Sequence, residues 1–147
     1  MNLTFYDSTG TDLSGFIEQE LYNKLREAFI NVLDESELER FDEYLNSGGA
    51  MIPTIQMNKK YHISTKNILI GALNNLIYTK NPSDNGYIIE IDPNEIIPNF
   101  DAKFIDIANL VNYGTLSVQA YPIFDEVFDL VAEELPQMRE DYLEGAQ

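Results

Sequence analysis

The chain has no cysteine and only one histidine, His62, among its 147 residues. Without cysteine there is neither a disulfide framework nor a thiolate metal site. No run of about 18 apolar residues occurs, so the sequence predicts no membrane span. The first ten residues also lack the basic start and apolar block of a signal peptide. These absences predict a soluble protein made in a bacterial-type cytoplasm, which the abundance of Asn, Ile, Lys and Tyr favours.

Positive charge is scarce. Nine basic residues face 25 acidic ones, which gives a formal net charge of −16 and a sequence pI of about 4.1. Such a surface repels phosphate chains, so ordinary nucleic-acid binding is disfavoured. Three interpretations of the charge remain: simple solubility, mimicry of DNA in the groove of a basic protein, or lining of a passage through which DNA slides without adhering.

The residues form no recognisable catalytic arrangement. His62 has no partner nearby in sequence that would build a nucleophilic triad. The acidic clusters 34–37 and 133–134 fall at predicted helix ends, where capping and solvation explain them, and no calcium-loop pattern occurs. Glu90 and Asp92 share one face of a strand end, but the lysine that a nuclease needs close behind is missing. The sequence therefore predicts that the protein is not an enzyme and has no catalytic, cofactor-binding or metal-binding residues and no cofactor.

The hydrophobic content of 44% is sufficient for a real core, and the length predicts one domain over residues 1–147. We expect an α+β fold, mostly helical, with a small antiparallel or mixed β-sheet. A helical hairpin is predicted over 13–46 and an α/β core over 51–135. Pro136 is predicted to end or kink the last helix, which leaves 136–147 as a tail.

Three segments are expected to supply the sheet. Residues 2–6 alternate between polar and apolar, and 87–91 are rich in β-branched and aromatic residues. The turn cluster 81–86 precedes the second of these strands. Part of 51–63 is predicted to be extended, and Lys59 and Lys60 in this segment concentrate positive charge in an acidic chain.

Capping signals divide the helices. Asp34 is predicted to begin the second helix of the hairpin, and Ser64 to begin the next helix, whose apolar positions run on to Leu76 and Ile77. Asp101 is predicted to cap the helix after the strand 87–91. These assignments depend on local pattern alone.

A corner over residues 110–124, LVNYGTLSVQAYPIF, connects the last two predicted helices. Gly114 fits the left-handed position just past a helix end, and Pro122 fits the first position of the final helix. The segment 116–120 should therefore be a rigid protrusion. The flanking aromatic residues have no basic neighbours, which favours packing or interface roles over stacking on nucleic-acid bases.

The same residues carry a family resemblance, over roughly 64–135. The segments VNYGT (111–115) and AYPIF (120–124) resemble a motif of the neck and tail-completion proteins of tailed bacteriophages, which join head to tail and include minor capsid proteins. The segment STKNIL (64–69) resembles a second motif, at a helix start. Asn112 and Lys66 stand where the family often has glutamate and glycine.

The resemblance implies a structural virion protein at the head–tail junction, made in the bacterial host cytoplasm and assembled as a homo-oligomeric ring through which DNA passes. Its partners would be other neck, connector and tail proteins, with neither sequence-specific nucleic-acid binding nor a membrane. The acidic surface would line the channel. The interface residues expected on this basis are Tyr113, Gly114, Thr115, Leu116, Val118, Tyr121, Pro122, Met57, Lys59 and Lys60.

Two alternatives start from the charge instead. One is an acidic DNA-mimic inhibitor of a basic protein, which needs carboxylates at phosphate-like spacing on one face. The other is an immunity or antitoxin-type protein that neutralises one basic partner in a one-to-one complex. The carboxylates considered for the mimic are Glu18, Asp34, Glu37, Asp42 and Glu43.

Overall fold

The computed structural model describes residues 1–47 and 62–145, and in this part of the chain the fold is α+β, as predicted. Helices dominate over one small sheet, and none of the described helices is long and apolar enough to cross a membrane. Helix α1 begins with a π-helical turn, and a 3₁₀ turn precedes α2. In chain order the elements are β1 (Leu3–Tyr6), the π-helical turn (Phe16–Leu21) and α1 (Tyr22–Val32), the 3₁₀ turn (Glu35–Leu38) and α2 (Glu39–Asn46), α3 (Thr65–Leu73), β2 (Leu76–Asn81), β3 (Gly86–Ile91), α4 (Phe104–Tyr113) and α5 (Ile123–Gly145).

The sheet is antiparallel, with strand order β1-β3-β2. Phe5 pairs with Tyr87 across β1 and β3, and their rings stack 5.0 Å apart. Both residues are buried, because the alternation in β1 directs one face of the sheet to the core. The predicted strands 2–6 and 87–91 are confirmed. Most of the predicted extended segment 51–63 lies outside the described residues, and 62–63 belong to no strand.

The third strand is β2, which the sequence wrongly assigned to a helix through Leu76 and Ile77. Helix α3 ends at Leu73, since the Asn75 side chain donates to the Gly71 carbonyl at 2.8 Å. The Asn75 carbonyl then accepts from the amide of Asp92 at 2.8 Å, which aligns the chain with β3. Asparagine competes for backbone hydrogen bonds at a helix end, and the residues that follow favour a strand.

The expected cap of α4 by Asp101 is also wrong. The residue preceding α4 is Lys103, whose backbone pairs with Ile96 in an isolated bridge. The amide of Phe104 donates to the Glu95 carbonyl at 3.2 Å. A backbone carbonyl of the β3–α4 connection therefore accepts a hydrogen bond from the first turn of α4 in place of a side-chain cap.

Pro136 does not end the last helix, since α5 continues through it to Gly145. The turns beyond the proline are held by contacts with the N-terminal part of the chain. The ring of Tyr142 lies 5.3 Å from that of Phe16, and Arg139 donates to the Tyr6 carbonyl at 3.2 Å. Tertiary contacts thus offset the hydrogen bond that proline removes from the helix.

The core lies between the helices and the inner face of the sheet. Helix α5 packs along α1, where the rings of Phe29 and Phe124 stack 5.7 Å apart.

Two of the predicted helix caps are confirmed. Asp34 accepts a hydrogen bond from the amide of Ser36 at 3.0 Å, and Ser64 accepts one from the amide of Asn67 at 3.3 Å.

A carboxylate links α2 to α3. Asp42 of α2 accepts hydrogen bonds from both the amide, at 2.7 Å, and the hydroxyl of Thr65, which is completely buried. Removing the acceptor would leave two buried donors without a partner.

We therefore expect Asp42→Ala to lower the free energy of unfolding by about 2–3 kcal/mol. Glu43→Ala is the matched control, because it removes the same charge from an exposed neighbouring position and should change stability by less than about 0.5 kcal/mol. Urea denaturation of both variants measures the difference. Equal losses would mean that the Asp42–Thr65 hydrogen bonds contribute nothing.

Candidate interaction site

The corner turns at Gly114, directly after α4. Its φ is 73° and its ψ is −173°, a conformation that residues with a side chain rarely adopt. A Cβ atom at this position would lie 2.7 Å from both the Ala120 nitrogen and the Val118 oxygen. The predicted positive φ is confirmed, and the close approach of the returning backbone is a second reason for glycine.

The loop beyond the turn is held by Thr115. Its amide donates to the Val118 carbonyl at 2.9 Å, and its hydroxyl accepts from the amides of Ser117 at 3.1 Å and Val118 at 3.0 Å. Leu116 stands at the tip and is fully exposed, whereas Val118 is buried in the core. Val118, predicted as an interface residue, therefore anchors the loop and is not accessible to a partner.

Buried Asn112 joins the end of α4 to the start of α5. Its Oδ1 accepts from the amides of Phe124 and Asp125, each at 3.1 Å, and so caps the N-terminus of α5. The side chain is only 1% exposed, and its Nδ2 has no hydrogen-bond partner among the described residues.

The backbone at the start of α5 is also bonded to α4, since the amide of Tyr121 donates to the carbonyl of Val111 at 2.7 Å. Pro122 lies one position earlier than predicted, immediately before α5.

The helical hairpin supports the other side of the corner. Arg40 of α2 donates to the carbonyls of Gln119 at 3.0 Å and Ala120 at 3.2 Å, and its guanidinium pairs with Glu37 at 2.8 Å. The hydroxyl of Tyr121 accepts from the amide of Asp34 at 3.1 Å. Burial raises the pKa of the Tyr121 hydroxyl above its usual value.

Sequence reasoning missed both Arg40 and Asn112 as supports of the corner. Asn112 was noted only as a departure from the resembled motif. Arg40 lies about 80 residues before the carbonyls that it binds, so no local pattern connects them. The only signal for Arg40 was the rarity of basic residues, which makes each arginine a candidate for a specific role.

The residues of the corner carry no charged side chain. The ten residues from Tyr113 to Pro122 include no Asp, Glu, Lys, Arg or His, in a chain with a net charge of −16. Tyr113 is 57% exposed and Leu116 is fully exposed. Charged groups from other segments lie against the edges of the corner, with Arg40 on its carbonyls and the N-terminal ammonium 3.4 Å from the Tyr113 hydroxyl.

The structure does not describe three of the predicted interface residues. Met57, Lys59 and Lys60 lie outside the described residues. His62 is exposed. Within 1–47 and 62–145, no group of three or more His, Asp or Glu side chains could hold a metal ion.

Five of the 25 acidic residues lie along one face of α5, which we call the acidic stripe. Its members recur at steps of three and four residues, through Gln137, and all are exposed on the side of α5 away from the core. The stripe consists of Glu126, Asp129, Glu133, Glu140 and Glu144. By contrast, three of the carboxylates considered for DNA mimicry already have hydrogen-bond or ion-pair partners within the same chain: Asp34, Glu37 and Asp42.

In comparisons with protein-family models, curated proteins and solved structures, no match to this chain was found.

The rigidity of the corner can be tested with two glycines of similar φ. Gly10 has φ of 72° but nothing within 4 Å of a Cβ atom, whereas Gly114 has two backbone atoms at 2.7 Å. We expect Gly10→Ala to cost about 1 kcal/mol of folding free energy and Gly114→Ala about 3 kcal/mol or more. Thermal unfolding of the two variants gives the comparison. A similar, small loss in both would show that the loop moves aside freely.

Proposed function

We propose that this chain is a structural virion protein at the head–tail junction of a tailed bacteriophage, where copies form a ring through which DNA passes. The observation that carries the proposal is the corner, which holds a fully exposed Leu116 at the tip of a hydrogen-bonded loop. This is the segment whose sequence resembles the neck and tail-completion family.

An exposed leucine on a rigid loop is suited to binding another protein. The loop is held at Gly114, at Thr115 and by Arg40, so little conformational entropy remains to be lost when it docks. A leucine in water gains free energy when a partner covers it. The loop residues next to Leu116 carry no charge, which avoids direct repulsion at the point of contact between two acidic molecules.

The acidic stripe supports the channel part of the proposal. It runs from Glu126 to Glu144, about 27 Å along α5, with the uncharged Gln137 between Glu133 and Glu140. A negative face of that length repels DNA phosphates, which would allow DNA to pass a ring wall without adhering. The stripe begins at Glu126, one helical turn after Pro122, and extends along α5 away from the corner.

The acidic stripe also favours a second candidate, an inhibitor that occupies the DNA-binding surface of a basic protein. The two functions differ in their response to salt. A complex held by opposite charges weakens steeply as ionic strength rises. A ring held by apolar contacts between acidic copies does not, because salt screens the repulsion among them.

Quantitative mass spectrometry of purified particles, scaled to the major capsid protein, tests the proposal. We expect a fixed low copy number set by the symmetry of a ring. Absence from particles, together with abundance in infected cells, would contradict the proposal and favour the inhibitor.

A substitution test connects the corner to this role. Leu116→Asp should reduce the copies incorporated per particle at least tenfold, because a carboxylate cannot enter an apolar contact. Ile30→Asp is the control, since Ile30 is also exposed, at 52%, but belongs to α1 and not to the corner. Equal incorporation of the two variants would exclude Leu116 from the interface.

A further inference from the structure

The outer edge of β2 has no strand beside it among the described residues, since the strand order ends there. The amide of Asp92 donates to the Asn75 carbonyl at 2.8 Å, so the odd-numbered residues of β2 bond to β3. The backbone groups of Leu76, Tyr78 and Lys80 therefore point away from the sheet. A row of such N–H and C=O groups is a template on which another strand can pair.

The opposite edge of the sheet is occupied by α5. At β1 the guanidinium of Arg139 donates to the Tyr6 carbonyl at 3.2 Å, and α5, which carries the acidic stripe, lies against that strand. Strand β3 separates β1 from β2. The β2 edge is therefore on the side of the sheet away from the strand that α5 contacts.

The β2 edge differs in charge from the rest of the molecule, since residues 62–83 include none of the 25 acidic residues of the chain. Lys80 is the one charged residue of β2. At the beginning of the strand, Glu18 of the π-helical turn lines a groove with Leu76 and Tyr78. Neither Lys80 nor Glu18 forms an ion pair within the described part of the chain. The edge therefore presents a cation at one end and a carboxylate at the other.

We propose that β2 pairs antiparallel with β2 of a second copy of the chain, which makes one continuous sheet across a two-fold axis. With the axis at Tyr78, Lys80 of each copy stands opposite Leu76 of the other, with Cβ atoms about 5 Å apart. Because Glu18 lines the same groove as Leu76, each Lys80 ammonium comes beside a carboxylate of the other copy. The contact then holds two ion pairs in addition to its backbone hydrogen bonds.

The charges of the edge favour a second copy over other strands. A lysine on an edge strand normally discourages pairing, because its ammonium loses water. A strand from a basic protein would add cations beside Lys80, and a strand without a cation would leave Glu18 without a partner. A second β2 in antiparallel orientation satisfies both ends, since it presents a cation where the first copy presents a carboxylate.

This contact goes beyond the proposed head–tail role and does not require it. Each copy carries a net charge of −16, so two copies approach with least repulsion where acidic residues are scarce. The residues of the β2 edge belong neither to the corner nor to the acidic stripe. A two-fold contact is isologous and closes after two copies, which separates it from the head-to-tail contact of a ring.

A charge exchange in the full chain tests the proposal by sedimentation equilibrium. We expect the unaltered protein to show a monomer–dimer equilibrium. Lys80→Glu and Glu18→Lys should each weaken the dimer about tenfold, because like charges then replace both ion pairs. The double variant should return to within about threefold of the original affinity. Glu20→Lys is the matched control, since it makes the same charge change on an exposed residue of the π-helical turn that does not line the groove, and it should not weaken the dimer.

Thiol crosslinking tests the register without changing a charge, because the chain has no cysteine. In the proposed pairing the two copies of Thr79 are diagonal neighbours about 8 Å apart, whereas the two copies of Ile88 are about three strand spacings, or 14 Å, apart. Ile88 pairs with Thr79 across the sheet, so it is a control at the same level. With a crosslinker that spans about 8 Å, Thr79→Cys should give a covalent dimer and Ile88→Cys should not.

The outcomes decide the inference independently of the head–tail role. A protein that stays monomeric, a double variant no better than the single ones, or equal crosslinking at Thr79 and Ile88 would each overturn it. Restoration in the double variant would also show that the single variants had not merely misfolded. A dimer with these properties stands whether or not particles contain the protein.

Discussion

The structure depends most on the hydrogen bonds from the backbone of α5 to the buried side chain of Asn112. Its Oδ1 accepts from two amides at the start of the 23-residue helix, so the end of α4 and the beginning of α5 keep one relative orientation. An uncapped helix start in this buried position would leave donors without partners. The loop can point outward because its two ends are fixed in this way, with Gly114 providing the space for the returning backbone.

The corner was predictable in part, because some of its signals are local. Positive φ at Gly114 and a helix beginning close to Pro122 follow from residue type and position alone. The contacts of Arg40 and the burial of Val118 could not be predicted, since they join segments far apart in the chain. The same limit explains the error at Leu76, where an apolar run fits either a helix or a buried strand and only pairing with β3 decides.

The net charge indicated less about function than the positions of the charged residues. The −16 balance is compatible with several roles, and sequence reasoning assigned the candidate DNA-like face to the N-terminal helices. Asp34 and Asp42 instead accept hydrogen bonds from backbone amides at the starts of helical segments. An exposed row of carboxylates instead lies on α5 and extends past Pro136, where the helix was predicted to end or kink. The helix continues there because contacts from Arg139 and Tyr142 hold its last turns against the N-terminal part of the chain.

In the assembly that we propose, the corner would determine the angle between neighbouring copies. Leu116 lies on a loop whose two ends are fixed to the fold, at Gly114 by the close approach of the returning backbone and at the start of α5 by Asn112. A head-to-tail contact closes at a definite number of subunits only when the angle between its two surfaces is constant. The hydrogen bonds of Asn112 and the steric restriction at Gly114 would therefore help to control closure of the ring.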